Sequence, residues 1–259
     1  MRLIYFCVAV QVLNSVSFGQ IPTKKKTVDF HTPKRQYISK DYGGRTYKIE
    51  KSLVQAAPKI AETAVLRLHK NINLILKKFP AHTTDDLSTV QFFIMHGPDA
   101  VGGGRPSGMA FIRDKQPERK IHLDPGWSNS IVIYSGKNYV ALTDLWAKKS
   151  IAHELAHAYH LHRWPEKQPD IFTAYQVAME RNLYQNVRNN KGGTTPKAYA
   201  TVNQLECFAE LSSMYFIGCN YEPSNRRKLQ NYDPTGHKMI EKMWAVRKGT
   251  VPPKSLLIK

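Results

Sequence analysis

Leu142-Thr-Asp-Leu-Trp-Ala-Lys-Lys-Ser-Ile-Ala-His153-Glu154-Leu155-Ala156-His157-Ala-Tyr-His-Leu-His162 is the stretch on which the reading of this chain turns. Leu145, Ala152, Leu155, Ala156 and Tyr159 are among its apolar positions, Thr143 or Asp144 is available as N-cap, and Pro165 ends it, which predicts a well-delimited helix. His153 and His157 stand four apart and so project from one helical face, where both imidazoles can reach one metal ion. Glu154 lies beside them, next to the position that water takes at such an ion.

A catalytic zinc ion takes three protein ligands and leaves one position open. The pattern with a third His six residues after the second is excluded, because that position is Arg163 and the Gly expected at 160 is His160. His160 shares the face of the other two but lies about 10.5 Å along the axis from His153. It therefore reads as a residue that supports a ligand from behind or lies at the surface, as does His162. The pattern with Glu nineteen residues after the second His meets Gln176; Glu180, one turn on, remains a candidate, and Asp170, at a helix cap, is a weaker one.

A better source is Asn203-Gln-Leu-Glu206-Cys-Phe-Ala-Glu210. Two carboxylates four apart on an otherwise apolar helix, with Phe208, Ala209, Leu211, Met214 and Phe216 around them, are costly to bury without a cation or a hydrogen-bond donor. Glu206 is the expected ligand, and Glu210 the acid that accepts the outer N–H of a ligating His and fixes its tautomer. The plain alternative is two solvated acids on a polar helix face.

These residues resemble a known family. His153-Glu154-Leu155-Ala156-His157, followed about fifty residues later by Tyr199-Ala-Thr-Val-Asn203-Gln-Leu-Glu206-Cys-Phe-Ala-Glu210, is similar to the gluzincin metallopeptidases of the anthrax lethal factor catalytic-domain type. The resemblance implies a zincin-like fold, one Zn²⁺ ion held by His153, His157 and Glu206, and Glu210 as the outer acid. It also implies Glu154 as general base, the Tyr199 hydroxyl facing a substrate carbonyl, and hydrolysis of peptide bonds in a protein or peptide. It covers roughly residues 145 to 247, where Tyr221-Glu222-Pro223 through Asp233-Pro234 is similar to secreted bacterial homologues. Cys207 replaces the bulkier aromatic usual at that position. Substrate choice is not implied, and residues 20 to 140 lie outside the resemblance.

The rest of the chain frames the motif. Pro58 opens an amphipathic helix running through Ala61, Ala64, Val65, Leu68, Ile72, Ile75, Leu76 and Phe79 to Pro80. Val90 to Met95, Met109 to Ile112, Lys120 to Leu123 and Ser130 to Tyr134 read as short strands. One of them is expected as an edge along a substrate cleft, Ser130 to Tyr134 being the first choice because it lies nearest in sequence to the zinc helix. Further helices are expected from Pro169 to about Val187, from Asn203 to Phe216, and from Asp233 with Pro234 to near Arg247. A helix, a small mixed sheet and then a helix-rich half containing the zinc helix indicate an α+β fold.

Composition narrows the setting. The 259 residues carry 38 Lys+Arg against 20 Asp+Glu, a formal charge of +18, and 42% apolar residues, which excludes a disordered chain. Three cysteines exclude a disulfide scaffold; Cys207 and Cys219 can pair only if their helix ends between them. The apolar run from Leu3 to Leu13 is too short to span a bilayer, so an integral membrane protein is not expected. With Arg2 before it and Ser15, Ser17 and Gly19 after it, the run reads as a secretory signal over 1–19, cleaved near Gly19, which leaves a charge of +17. A basic flexible arm over 20–45, with Lys24, Lys25, Lys26, Lys34, Arg35 and Lys40, suits electrostatic attachment to an anionic surface. A zincin-like domain over 46–250 and a tail over 251–259 complete the division. No nucleic-acid module is recognisable, so no specific nucleic acid is expected as partner. The alternative to a secreted metallopeptidase is a secreted cationic zinc-binding protein without proteolytic activity, which binds anionic cell-surface polymers. Glu154 favours the enzyme, since a structural site needs no carboxylate beside its water position.

Overall fold

A computed structural model of the chain describes residues 34–113 and 124–255. The signal over 1–19, the lysines at 24–26, the strand expected at 120–123 and the end of the tail from 256 lie outside the described residues. In chain order the elements are β1 (Tyr37–Tyr42), β2 (Arg45–Glu50), α1 (Lys51–Ala56), α2 (Pro58–Leu76), α3 (Thr84–Ser88), β3 (Gln91–Ile94), β4 (Met109–Ile112), β5 (Ser130–Ile133), α4 (Gly136–Ala141), α5 (Asp144–Arg163), α6 (Pro169–Glu180), β6 (Gln185–Arg188), β7 (Thr194–Lys197), α7 (Gln204–Phe216), α8 (Arg226–Tyr232) and α9 (Pro234–Met243). This is an α+β chain with a small mixed sheet. It divides into two compact units, one taking the described residues up to Arg67 with those of Gln91–Ala141, the other taking Leu68–Val90 and the described residues from Leu142 on.

The first unit is built on a five-stranded sheet in the order β1-β2-β3-β5-β4. β1 with β2 and β4 with β5 are antiparallel, while β2 with β3 and β3 with β5 are parallel. One side of the sheet buries Phe93, Met95, Ala110, Trp127, Val132 and Tyr134 together. β5 is therefore an inner strand, and the expectation that Ser130 to Tyr134 forms an edge is corrected. The physical reason is visible in its residues. Ser-Ile-Val-Ile is buried along its whole length, as befits a strand covered on both faces and paired on both sides, whereas β1 and β4 hold the edges.

The arm expected over 20–45 is corrected from Arg35 onward. Gly43 and Gly44 both take positive φ, 53° and 76°, and form the two-residue loop of a hairpin in which Tyr42 pairs with Arg45. Arg35 is only 7% exposed, ion-paired with Glu50 at 2.6 Å and donating to the Gly103 carbonyl at 2.6 Å. Glu50 also accepts from the His96 backbone N–H at 2.8 Å. A count of lysines and arginines registers neither the Gly-Gly turn nor the pairing of Arg35 with Glu50.

In the second unit α5 packs on α7, around an aromatic cluster centred on Trp244. Its ring stacks on Tyr159 at 4.3 Å and on Phe208 at 6.0 Å, meets Phe79 at 4.5 Å and Phe216 at 5.1 Å, and donates through Nε1 to Ser212 Oγ. Side-chain caps start the helices: Thr143 for α5, Gln168 for α6, Asn203 for α7, Asn225 for α8 and Asp233 for α9. α6 stops at Glu180, short of the expected Val187, because Asn182 and Tyr184 enter the left-handed region at φ 51° and 64° and the chain turns into the β6–β7 hairpin. Among the described residues no helix is long and apolar enough to cross a membrane.

Candidate metal centre

The centre is made by two capped helices. The Thr143 hydroxyl accepts from Trp146 N and starts α5, whose buried middle carries His153, Glu154 and His157. The Asn203 side chain accepts from the backbone N–H of Glu206 at 2.9 Å, so the cap of α7 is bonded to the candidate ligand's own residue. Glu206 is 2% exposed.

Three donor atoms converge. His153 Nε2 lies 2.9 Å from Glu206 Oε2, His157 Nε2 lies 3.2 Å from the same oxygen, and the two Nε2 atoms are 3.0 Å apart. Tetrahedral zinc with bonds of about 2.0–2.1 Å sets its ligand atoms about 3.3 Å apart. The triangle is within a few tenths of an ångström of that, and its chemistry of two imidazoles and a carboxylate suits zinc. Buried lone pairs aimed at one point are unfavourable unless a cation or shared protons stand among them. Among the described residues, His153, His157 and Glu206 are the group of His, Cys, Asp or Glu side chains that meets in this way.

Behind the triangle, His153 Nδ1 faces Glu210 Oε1 at 3.1 Å, the arrangement expected of an outer acid. Glu210 Oε2 is held by Lys149 Nζ at 2.9 Å and accepts from the Tyr221 hydroxyl. Burial opposes a charged His153, but hydrogen bonds to Glu206 and Glu210 prevail and lift its pKa to about 10. Burial also opposes an ionised Glu206, yet the charge of His157 and hydrogen bonds from both imidazoles bring its pKa far below the usual carboxylate range. Against the same burial, Lys149 first and then His153 and Tyr221 lower Glu210 to about 2. The carboxylates thus favour positive charge here, as a proton on His153 or as a cation.

Tyr199 opens a short 3₁₀ turn, Tyr199–Thr201, just before the α7 cap, and its half-buried ring lies 5.7 Å from that of His153. The rival ligands are elsewhere. Glu180 is exposed at the end of α6. Asp170 pairs with Lys242 at 2.7 Å and accepts from Gln168, which itself caps α6, so Asp170 is not the cap residue. His160 is fully buried: Nε2 bonds to the Pro165 carbonyl at 3.1 Å and the ring meets Phe208 edge-on, so it is a core residue and not a surface one. His162 Nδ1 bonds to the Asp86 carbonyl at 2.7 Å. Cys207 and Cys219 are buried free thiols, although α7 ends between them.

Two residues of the centre escaped the sequence reading. Lys149 could have been found, since it lies four residues before His153 and hence on the same face of α5 as His153 and His157. Tyr221 carried no local signal; only the fold brings it to Glu210. Comparison of the chain with protein-family models and with curated proteins finds no match.

Proposed function

We propose that this chain is a secreted zinc-dependent metallopeptidase of the zincin type, resembling the lethal factor catalytic domain. The observation that carries the reading is the buried triangle of His153 Nε2, His157 Nε2 and Glu206 Oε2, with Glu154 on the same helix and Glu210 behind His153. The signal read over 1–19 supports export.

Zinc bound by His153, His157 and Glu206 would supply a Lewis acid that brings the pKa of water towards about 7 and polarises a carbonyl. Glu154 takes the proton of the attacking water and returns it to the leaving amine, so the same carboxylate is base and then acid. The Tyr199 hydroxyl donates to the scissile carbonyl oxygen as negative charge develops there. Glu210 keeps His153 turned so that Nδ1 faces outward.

The test is Glu154→Ala in the purified, zinc-loaded chain, digested against a peptide library. Zinc should stay near one per chain while cleavage falls to background. Cleavage that survives in this variant overturns the mechanism.

A further inference from the structure

α5 and α7 face each other as a ladder. Lys149, His153 and His157 recur at steps of four on α5, and Glu210 and Glu206 at a step of four on α7. Lys149 meets Glu210 at 2.9 Å, His153 meets Glu210 at 3.1 Å and Glu206 at 2.9 Å, and His157 meets Glu206 at 3.2 Å. The two helices therefore run antiparallel, and Lys149 is the rung furthest from His157.

Lys149 is 3% exposed, and its ammonium lies 5.0 Å from the centre of the Trp146 ring and 4.8 Å from that of Tyr221. An ammonium is costly to bury unless it is paired, and an apolar residue would fill the same space. Its particular contribution is to Glu210. Oε2 of that carboxylate takes both the Lys149 ammonium and the Tyr221 hydroxyl, while Oε1 faces His153 Nδ1. Two donors at one oxygen restrict the carboxylate's rotation and so favour keeping its other oxygen against the imidazole.

We propose that Lys149 is a positioning residue of the metal centre: with Tyr221 it clamps Glu210, and Glu210 in turn holds the His153 ring so that Nε2 is presented to the metal. The proposal rests on the reading of His153, His157 and Glu206 as metal ligands.

The experiment measures zinc affinity of the full chain by competition with a chromophoric chelator, and the visible spectrum of the cobalt-substituted protein. The chains compared are wild type, Lys149→Met, Lys149→Arg, Glu210→Gln and the Lys149→Met/Glu210→Gln pair. Lys149→Met should weaken zinc binding about 10- to 100-fold and shift the cobalt bands, and Lys149→Arg should restore most of the loss. In the Glu210→Gln background Lys149→Met should change affinity by less than about twofold, because its path to the metal is already cut.

Wild-type affinity in Lys149→Met, or a loss of equal size in the Glu210→Gln background, overturns the proposal and leaves the metal reading standing. Absence of zinc binding by the wild-type chain overturns the metal reading and the proposal together. If Lys149→Met does not fold, Tyr221→Phe removes the other donor from the same oxygen. It should weaken zinc binding in the wild-type background and not in the Glu210→Gln background; unchanged affinity in the former overturns the proposal.

Discussion

Glu206 Oε2 stands within 3.2 Å of two imidazole nitrogens, and its backbone N–H is tied to the α7 cap, so the side chain can move little without the helix moving too. Glu206→Ala should accordingly reduce zinc, measured by elemental analysis after dialysis, from near one per chain to near none. Full occupancy in that variant would overturn its place in the triangle, since Asp170 is committed to Lys242 and Glu180 is exposed. Tyr199 tests the opposite property, effect on rate without effect on metal. Removing one hydrogen-bond donor from a developing oxyanion typically lowers turnover about 10²- to 10³-fold, and Tyr199→Phe should do so at unchanged zinc content. A fall in zinc would place Tyr199 among the groups that hold the metal.

Between residue and molecule stand the helices, and their ends carry as much of the centre as their faces. Asn203→Ala deletes the acceptor for the Glu206 N–H and should cost about 1 kcal/mol in urea unfolding. An unchanged midpoint would show that water replaces the cap. α9 makes a second test. Glu241 receives Arg247 from beyond its own helix, Arg226 from α8 and the Tyr215 hydroxyl from α7, with His237 one turn before it. Burial alone would raise its pKa, but Arg247, His237 and Arg226 hold it below the usual 4.5. Its contribution to stability is therefore complete above about pH 4.5 and is lost as the pH falls through the lower folded value. Glu241→Gln should flatten that part of the acid-unfolding profile; an unaltered slope would show the group to be solvated. The same scale explains what was legible. α5, α7 and the meeting of His153, His157 and Glu206 could be read because steps of four and polar caps are local. The β6–β7 hairpin, Tyr221 beside Glu210, and β5 as an inner strand depend on which segments meet, and local pattern does not encode that. The β1–β2 hairpin is local too, in Gly43-Gly44, but the surrounding cations give the same composition as a solvated arm.

For the molecule as a whole, the question is where eighteen surplus positive charges reside. They are not concentrated at the centre, where one cation, Lys149, stands against Glu154, Glu206 and Glu210. One concentration is the segment from 226 to 248, where Arg226, Arg227, Lys228, Lys238, Lys242, Arg247 and Lys248 are all exposed and the two acids, Asp233 and Glu241, are buried. Exposed charges act on anionic polymers over about 8 Å at physiological salt and fade beyond it, so attachment through this segment must weaken steeply as salt rises. Replacing Arg227, Lys238 and Lys248 together by Ser should make the chain leave a heparin column at lower salt while peptide hydrolysis stays at the wild-type rate. If elution does not move, the attachment lies in other basic segments, such as 20–34. If elution and hydrolysis fall together, the basic segment helps to bind substrate, and the separation of attachment from catalysis is wrong. Retention on DNA with the same salt slope as on heparin would identify the interaction as charge alone.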